Sequence, residues 1–432
     1  MPRSDNDVLS RKMNQTCGRK VYTIILVCLL TFPLISGTGF ADEDHYNNLL
    51  IGDRATGLGG AYTAISDDPS GLYYNPAGIV YATTRNLTAS VNAFNQQYKT
   101  YKNALAGGGD FKRNSTTLLP NFLGVVQPLG KGMIGFSIAV PDSINEDQDQ
   151  TFSNLPSSNG TITAYNFNLN HSDSTIEFGP SYAMEINKSL SVGMTLYFHY
   201  REKELIQNNF IEYANGDYLW ANSYYQTTEY GMQPLLGIMW SPVDKLALGL
   251  RVGQVFVYDS YTRSQYAQRS EITATATDSI TMPAPSTHTE NREQPTSFKL
   301  GAAWFLSETM LLSGDFSYYT AVDDVNFGDR EATWNIAMGM EKFFSEKTAL
   351  RLGIFTNNAN TKDIEAGKSG QGENIDFYGF SVSLSKFTRN TSISGGFSYS
   401  TGSGDAQLFS NTSIQDVESY SYTLYLSTSY SF

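Results

Sequence analysis

Cysteine is almost missing from this chain. Cys17 and Cys28 are the only two in 432 residues, and both fall in a basic and apolar leader. Once that leader is removed no thiol remains, which excludes disulfides, thiolate metal sites and a cysteine nucleophile together. Histidine is scarce as well: His45, His171, His199 and His288 stand at no metal-binding spacing. Charged residues make up only 16% and the net charge is −13. An acidic chain of this kind is a poor partner for nucleic acid. Beyond the leader, no apolar run reaches the ~18 residues that a membrane helix needs, so any crossing of a bilayer must use strands. Aromatics and glycine, in contrast, are plentiful, with 28 Tyr, 25 Phe and 37 Gly. Aromatic girdles and glycine-eased curvature suit a transmembrane barrel; a large soluble sandwich is the competing class.

Residues 1–41 read as a signal peptide. Arg11, Lys12, Arg19 and Lys20 form the basic region and Val21 to Ile35 the apolar core, too short for a membrane helix. Small residues at Gly39 and Ala41 place cleavage after Ala41. The long basic region leaves Met1 and Met13 as alternative starts. The expectation is export, with the outer membrane of a bacterium as destination.

The next stretch, Gly52 to Gly78, is rich in Gly and Ala and then turns twice. Small side chains let backbone pack against backbone. Asp67-Asp68-Pro69 reads as a helix start with an Asp free to cap it, and Asn75-Pro76-Ala77-Gly78 as the turn that ends it. Gly57-Leu-Gly59-Gly60-Ala-Tyr-Thr-Ala, followed by Asp67-Asp68 and by Tyr74-Asn75-Pro76-Ala77-Gly78, resembles the amino-terminal hatch of the FadL/TodX family. These are outer-membrane transporters of long-chain fatty acids and aromatic hydrocarbons. The resemblance implies an all-β fold: a 14-stranded antiparallel transmembrane barrel with the hatch plugging its lumen. It also implies a kinked third strand that opens a gap toward lipid. On this reading residues 42–80 are the hatch and 81–432 the barrel, with Gly57, Gly59, Gly60, Asp67, Asp68, Asn75, Pro76 and Ala77 as the hatch motif.

The rest of the chain alternates. In Leu246–Tyr258 the apolar Leu246, Leu248, Leu250 and Val252 share one face, and Ala247, Gly249, Arg251 and Gly253 the other. Period two with one apolar face is the signature of a strand between lipid and water. Short turns fall at 130–132, 187–189, 241–244, 307–309, 345–347 and 388–390. Longer polar segments lie near 96–115, 142–172, 203–222, 259–294, 321–330, 358–373 and 402–415. That parity accommodates 14 strands of about 9–14 residues, with both termini on the periplasmic side. The third strand is roughly Gly132 to Pro141, where Pro withholds a ladder donor. Phe432, closing a run of alternating aromatics, resembles the terminal signal read by outer-membrane insertion machinery.

The candidate site residues are polar groups on the inner face of good strands. Arg251, Lys299 and Arg351 are placed to meet the hatch acids Asp53, Asp67 and Asp68, or to hold a ligand carboxylate. Glu177, Asp315 and His199 share their parity, and Tyr197, Phe355 and Tyr425 point inward as aromatics. The acidic Asn145–Asp149 run reads as a solvated loop, and 259–294 as a mobile one. No metal or cofactor is implied, and no nucleophile constellation marks an enzyme. The leading function is passive uptake of hydrophobic compounds, long-chain fatty acids or hydrocarbons, by a monomeric barrel among outer-membrane lipid and lipopolysaccharide. The alternative is a barrel that partners a protein-secretion system through its external loops.

Overall fold

The computed structural model describes residues 44–82, 85–105, 109–157, 160–273, 277–368, 371–408 and 413–432; the leader, 1–41, lies outside them. The described strands form one closed antiparallel sheet. In chain order they are β1 (Asn86–Leu105), β2 (Gly109–Leu129), β3 (Gly132–Phe152), β4 (Ile162–Asn187), β5 (Leu190–Tyr213), β6 (Tyr218–Val243), β7 (Leu246–Gly253), β8 (Phe256–Ile272), β9 (Thr277–Thr281), β10 (Ser286–His288), β11 (Ser297–Ser307), β12 (Met310–Tyr319), β13 (Thr333–Ser345), β14 (Thr348–Asn357), β15 (Gly372–Phe387), β16 (Thr391–Gln407) and β17 (Gln415–Ser431). β17 returns to pair with β1, from Asn86↔Ser431 to Tyr101↔Val417, so the sheet closes on itself as a ring. β7 and β8 are halves of one crossing, both laid on β6, and the short β9 and β10 pair only with β8. The wall is therefore a closed 14-strand barrel. All six short turns separate consecutive strands as the sequence predicts.

Alternation sorts the side chains. On β7, Ala247, Gly249, Arg251 and Gly253 are buried and Leu246, Leu248, Leu250 and Val252 face outward. Outward apolar groups such as Phe136, Met194, Leu236, Trp240, Leu300, Trp304 and Leu426 are exposed, which is what a lipid-facing band requires.

The strands are much longer than expected on one side of the ring. β4 and β6 run 26 residues and β5 24, against 10 for β12 and β14. Most of the polar segments expected as loops are continuations of the ladder. Beyond the apolar band both faces of a strand meet polar surroundings, so the hydrophobic signal fades while the backbone pairing continues. The 259–294 segment is accordingly not a free loop; most of its described part belongs to β8, β9 and β10. The Asn145–Asp149 run lies within β3, where Glu146 is buried and paired with the Arg113 guanidinium (Nε 3.1 Å) and His171 Nδ1 (3.1 Å).

The interior is layered. Residues 44–82 lie within the ring near the short turns, carrying α1 (Asp53–Gly57), α2 (Gly71–Tyr74) and a 3-10 turn, Pro76–Tyr81. Above them lie buried charged pairs, among them Arg201 with Asp173 (2.6 Å) and Glu229 with Arg292 (3.0 Å). At the far end the tall strands carry an apolar cluster, with Tyr101, Phe111, Tyr165, Phe167, Ile211 and Ile375 among its buried members. Phe111 meets Phe167 edge-on at 5.0 Å.

Candidate functional site

The hatch is held because backbone meets backbone. Gly59 and Gly60 take φ of 67° and 87°, a region that disfavours side chains. A Cβ on Gly59 would stand 3.0 Å from the Ile354 backbone, and one on the facing Gly353 2.1 Å from Gly59 N. At Gly57 a Cβ would meet Ser383 Oγ at 2.2 Å, while Ser381 Oγ donates to Gly57 O at 3.2 Å. The same close fit recurs at the second turn, where Gly193 and Gly237 of the wall face Asn75-Pro76-Ala77. Asn75 is fully buried. Its Nδ2 donates to Thr63 O (2.8 Å) and to Ile238 O of β6 (3.1 Å), and its Oδ1 accepts from Ala77 N (3.1 Å). The Asn amide supplies two N–H donors and a separate acceptor on one short side chain, and all three are used here. Asn75 thus caps the 3-10 turn that Pro76 opens. Regular α-helix begins at Gly71 rather than at Pro69; Asp68 instead accepts from Ser70 N at 2.8 Å. Burial and the neighbouring carboxylates Asp53 and Asp67 push the Asp68 carboxyl up to about 6.

The inward cations divide. Arg351 Nη1 lies 3.9 Å from Asp53 of the hatch. Its principal partner is Glu341 of β13, at 2.6 Å from Nε. Glu341 is shared with a hatch cation that the sequence reading passed over, Arg54, whose Nη2 lies 2.7 Å away. Arg54 also binds Asp67 at 2.5 Å. The available signal was an acid at inward parity directly opposite Arg351 across the β13–β14 ladder. A second unread contact is Asp315, whose Oδ2 accepts from Tyr62 N (3.0 Å) and Thr63 N (2.9 Å).

Arg251 and Lys299 do not meet Asp53, Asp67 or Asp68. They are cross-strand partners on β7 and β11 and lie over hatch rings, Arg251 at 5.8 Å from Tyr73 and Lys299 at 5.7 Å from Tyr74. Asp53 and Asp67 are met instead by Arg351 of β14, three strands further round the ring than Lys299, and by Arg54 of the hatch itself. Among the described residues neither Arg251 nor Lys299 has a carboxylate within 4.0 Å, and the Arg251 Nε is a buried donor with no acceptor. Both line a cavity above the hatch, together with His199, Glu177, Tyr73 and Pro141.

Pro141 marks a break in the wall. β2 and β3 pair from Leu129↔Gly132 to Phe122↔Ala139 and again only at Ser115↔Glu146. Pro120 and Pro141, which withhold ladder donors, lie in the unpaired stretch. β3 also shifts register against β4 between Ala139 and Asp142, a bulge that bends a strand. The segment before α1 spans the break: Leu49 N donates to Pro141 O (3.1 Å) and Asn121 Nδ2 to Leu50 O (2.9 Å). The third strand itself runs on, but its ladder to β2 lapses at Pro141.

The relatives fit this arrangement. A search of curated proteins finds no match. Among solved structures, a Pseudomonas aeruginosa FadL homologue matches at 13% identity and TM-score 0.61, covering 90% of this chain and all of its own. The toluene transporter TodX of Pseudomonas putida matches at 13% identity and TM-score 0.59, covering 90% and 100%. The toluene transporter TbuX of Ralstonia pickettii does so at 13% and 0.59, covering 90% and 99%. At such identities the likeness shows the fold. A model of the family Outer membrane protein transport protein (OMPP1/FadL/TodX) matches residues 49–321. The chain belongs to that family of outer-membrane transport proteins.

Proposed function

We propose that this barrel is a passive channel for hydrophobic compounds bearing one anionic group, with a long-chain carboxylate as the best fit. Proteins of similar structure include a toluene transporter and a monoaromatic hydrocarbon channel. The observation that separates this chain's reading from a purely hydrocarbon one is the pair Arg251 and Lys299. A neutral hydrocarbon offers nothing to two adjacent buried cations whose one interacting carboxylate, Asp315 beside Lys299, stands beyond 4.0 Å, and whose desolvation favours a closer counter-charge. A carboxylate lying over Tyr73 and Tyr74 supplies it, and its alkyl tail can run toward the break between β2 and β3. Release then takes place sideways into the bilayer, because the hatch closes the way down. Displacement of the Leu49–Leu50 segment from Pro141 and Asn121 is the gating step. The signal peptide 1–41 and the hatch boundary near residue 80 belong to the same reading.

The test is uptake of radiolabelled oleate and, separately, toluene by cells lacking their own transporters. The double variant Arg251→Gln/Lys299→Gln is expected to lower oleate uptake at least tenfold and toluene uptake less than twofold. Equal loss of both, or of neither, would show that the pair does not read the carboxylate.

A further inference from the structure

The wall has a second discontinuity. β7 stops at Gly253 and β8 starts at Phe256, so Gln254 and Val255 belong to neither strand. On the β11 side, ladder pairing ends at Gly253↔Ser297 and resumes only at Thr262↔His288. Among the described residues, β8 from Phe256 to Tyr261 therefore has no strand partner on that flank. Facing it, 289–296 is irregular and is drawn away from β8. Glu293 N donates to Asp324 (2.9 Å), Thr296 N to Thr320 Oγ1 (3.1 Å), and Arg292 reaches inward to Glu229. What joins the two sides at the lower rim is side chain rather than ladder: Gln254 Nε2 donates to Gln294 O (3.0 Å) and Thr296 Oγ1 to Gln254 Oε1 (3.0 Å).

Three further observations give this break a role. First, the cavity over the hatch is lined by Val255 and Pro295 and also by Pro141 and Asp142. A single cavity therefore touches both breaks. Second, at the far end the side chains of the tall strands close on one another in the buried apolar cluster around Tyr101, Phe111 and Phe167. Third, Val255 lies some ten residues above the short turn after Val243. At roughly 3.3 Å per residue and a ~40° tilt that is about 25 Å, the height at which the apolar band of such a barrel ends. Phe256 and Tyr258 flank the site on the outside, both more than half exposed.

We propose that the break between β8 and 289–296 is a lateral inlet through which an apolar or amphipathic solute passes from the outer-leaflet boundary into the cavity. The inference rests on the transport function proposed above and adds the point of admission. The solute slides past Phe256 and Tyr258, displaces the side-chain bridge at Gln254, and meets Arg251 and Lys299 inside. It then leaves by the β2–β3 break, so both steps are sideways.

The absence of cysteine after Cys28 makes the experiment clean. Gln254→Cys/Thr296→Cys would be bridged with a short reducible bis-methanethiosulfonate linker, and Ser392→Cys/Ser429→Cys, on the unbroken β16–β17 ladder, would serve as control. Barrel assembly is read from heat-modifiable gel mobility and uptake from radiolabelled oleate. Bridging 254 to 296 is expected to cut uptake at least fivefold, with recovery on adding dithiothreitol and no change in the control. Val255→Trp, which narrows the same gap without chemistry, is expected to slow uptake about as much. An assembled, fully bridged protein that transports at the wild-type rate overturns the inlet. A wild-type protein that raises uptake no more than an empty vector overturns the transport reading itself, and the inlet with it.

Discussion

The sharpest consequence of backbone-to-backbone docking concerns Gly193 of β5. A Cβ there would stand 2.5 Å from Pro76 C and 2.6 Å from Ala77 N, where ordinary contact is 3.4–4 Å. Neither atom belongs to a side chain that can rotate away, so Gly193→Ala must push the Asn75-Pro76-Ala77 turn inward by about 1 Å. That shift breaks two bonds that tie the turn to the wall, Ser191 Oγ to Ala77 O (2.9 Å) and Asn75 Nδ2 to Ile238 O (3.1 Å). At about 1 kcal/mol each, with a further ~1–3 kcal/mol of overpacking strain, hatch docking weakens by about 3–5 kcal/mol. The docked-to-undocked ratio then falls by roughly 10²–10⁴. The barrel ladders are untouched, so heat-modifiable mobility should not change. Planar-bilayer recordings should show frequent openings that wild type lacks, and amides of 71–81 should lose hydrogen-exchange protection. Gly314→Ala is the control, since its nearest atom would be 3.8 Å away. Wild-type conductance and protection in Gly193→Ala would refute the claim that close approach is what holds the hatch.

Other outcomes follow from the same geometry. Because the Asp68 carboxyl is raised to about 6 in the docked hatch, against an ordinary value near 3.9, docking binds a proton. The stabilisation is complete below ~3.9 and is lost as pH rises through about 6. Protection of 61–78, corrected for intrinsic exchange, should therefore fall between pH 4 and 7 in wild type and stay level in Asp68→Asn, which keeps the acceptor for Ser70 N. Phe167→Ala removes a ring packed edge-on against Phe111 and should destabilise the far-end cluster by about 3–5 kcal/mol. Proteolysis of intact cells should then cut within 160–213, while the membrane part of the barrel keeps its heat-modifiable mobility. Glu341→Gln leaves Arg54 and Arg351 facing each other without their shared carboxylate. Breaking a buried pair of this kind costs about 3–5 kcal/mol, and the loss should appear in exchange of 53–60 before any change in barrel melting.

The barrel was legible because alternation is a local property. The outward Leu250 and Val252 and the inward Arg251 can be read from spacing alone, and so can the short turns, where Gly130 and Asn187 interrupt the pattern. The strand extensions were not legible, because polar residues on both faces erase the contrast that marks a strand. Tyr165, Phe167 and Leu169 alternate within a stretch taken for loop, and they were the available hint of the far-end cluster.

The site divides in the same way. Gly57, Gly59 and Gly60, followed by Asn75-Pro76-Ala77, point by themselves to a compact segment that packs backbone against backbone, since only small residues and a two-sided amide permit it. Pro141 likewise marks a strand that must lose part of its ladder. Partnership was decided by the tertiary fold. Arg351 and Arg251 have the same parity and each stands between two aliphatic residues, yet one meets Glu341 and Asp53 while the other lies over Tyr73 with no carboxylate within 4.0 Å among the described residues. Parity fixes which face a side chain takes, but a closed ring surrounding a folded segment sets its angular position. Charges from strands far apart in the chain become neighbours only when the ring has closed and the hatch has seated.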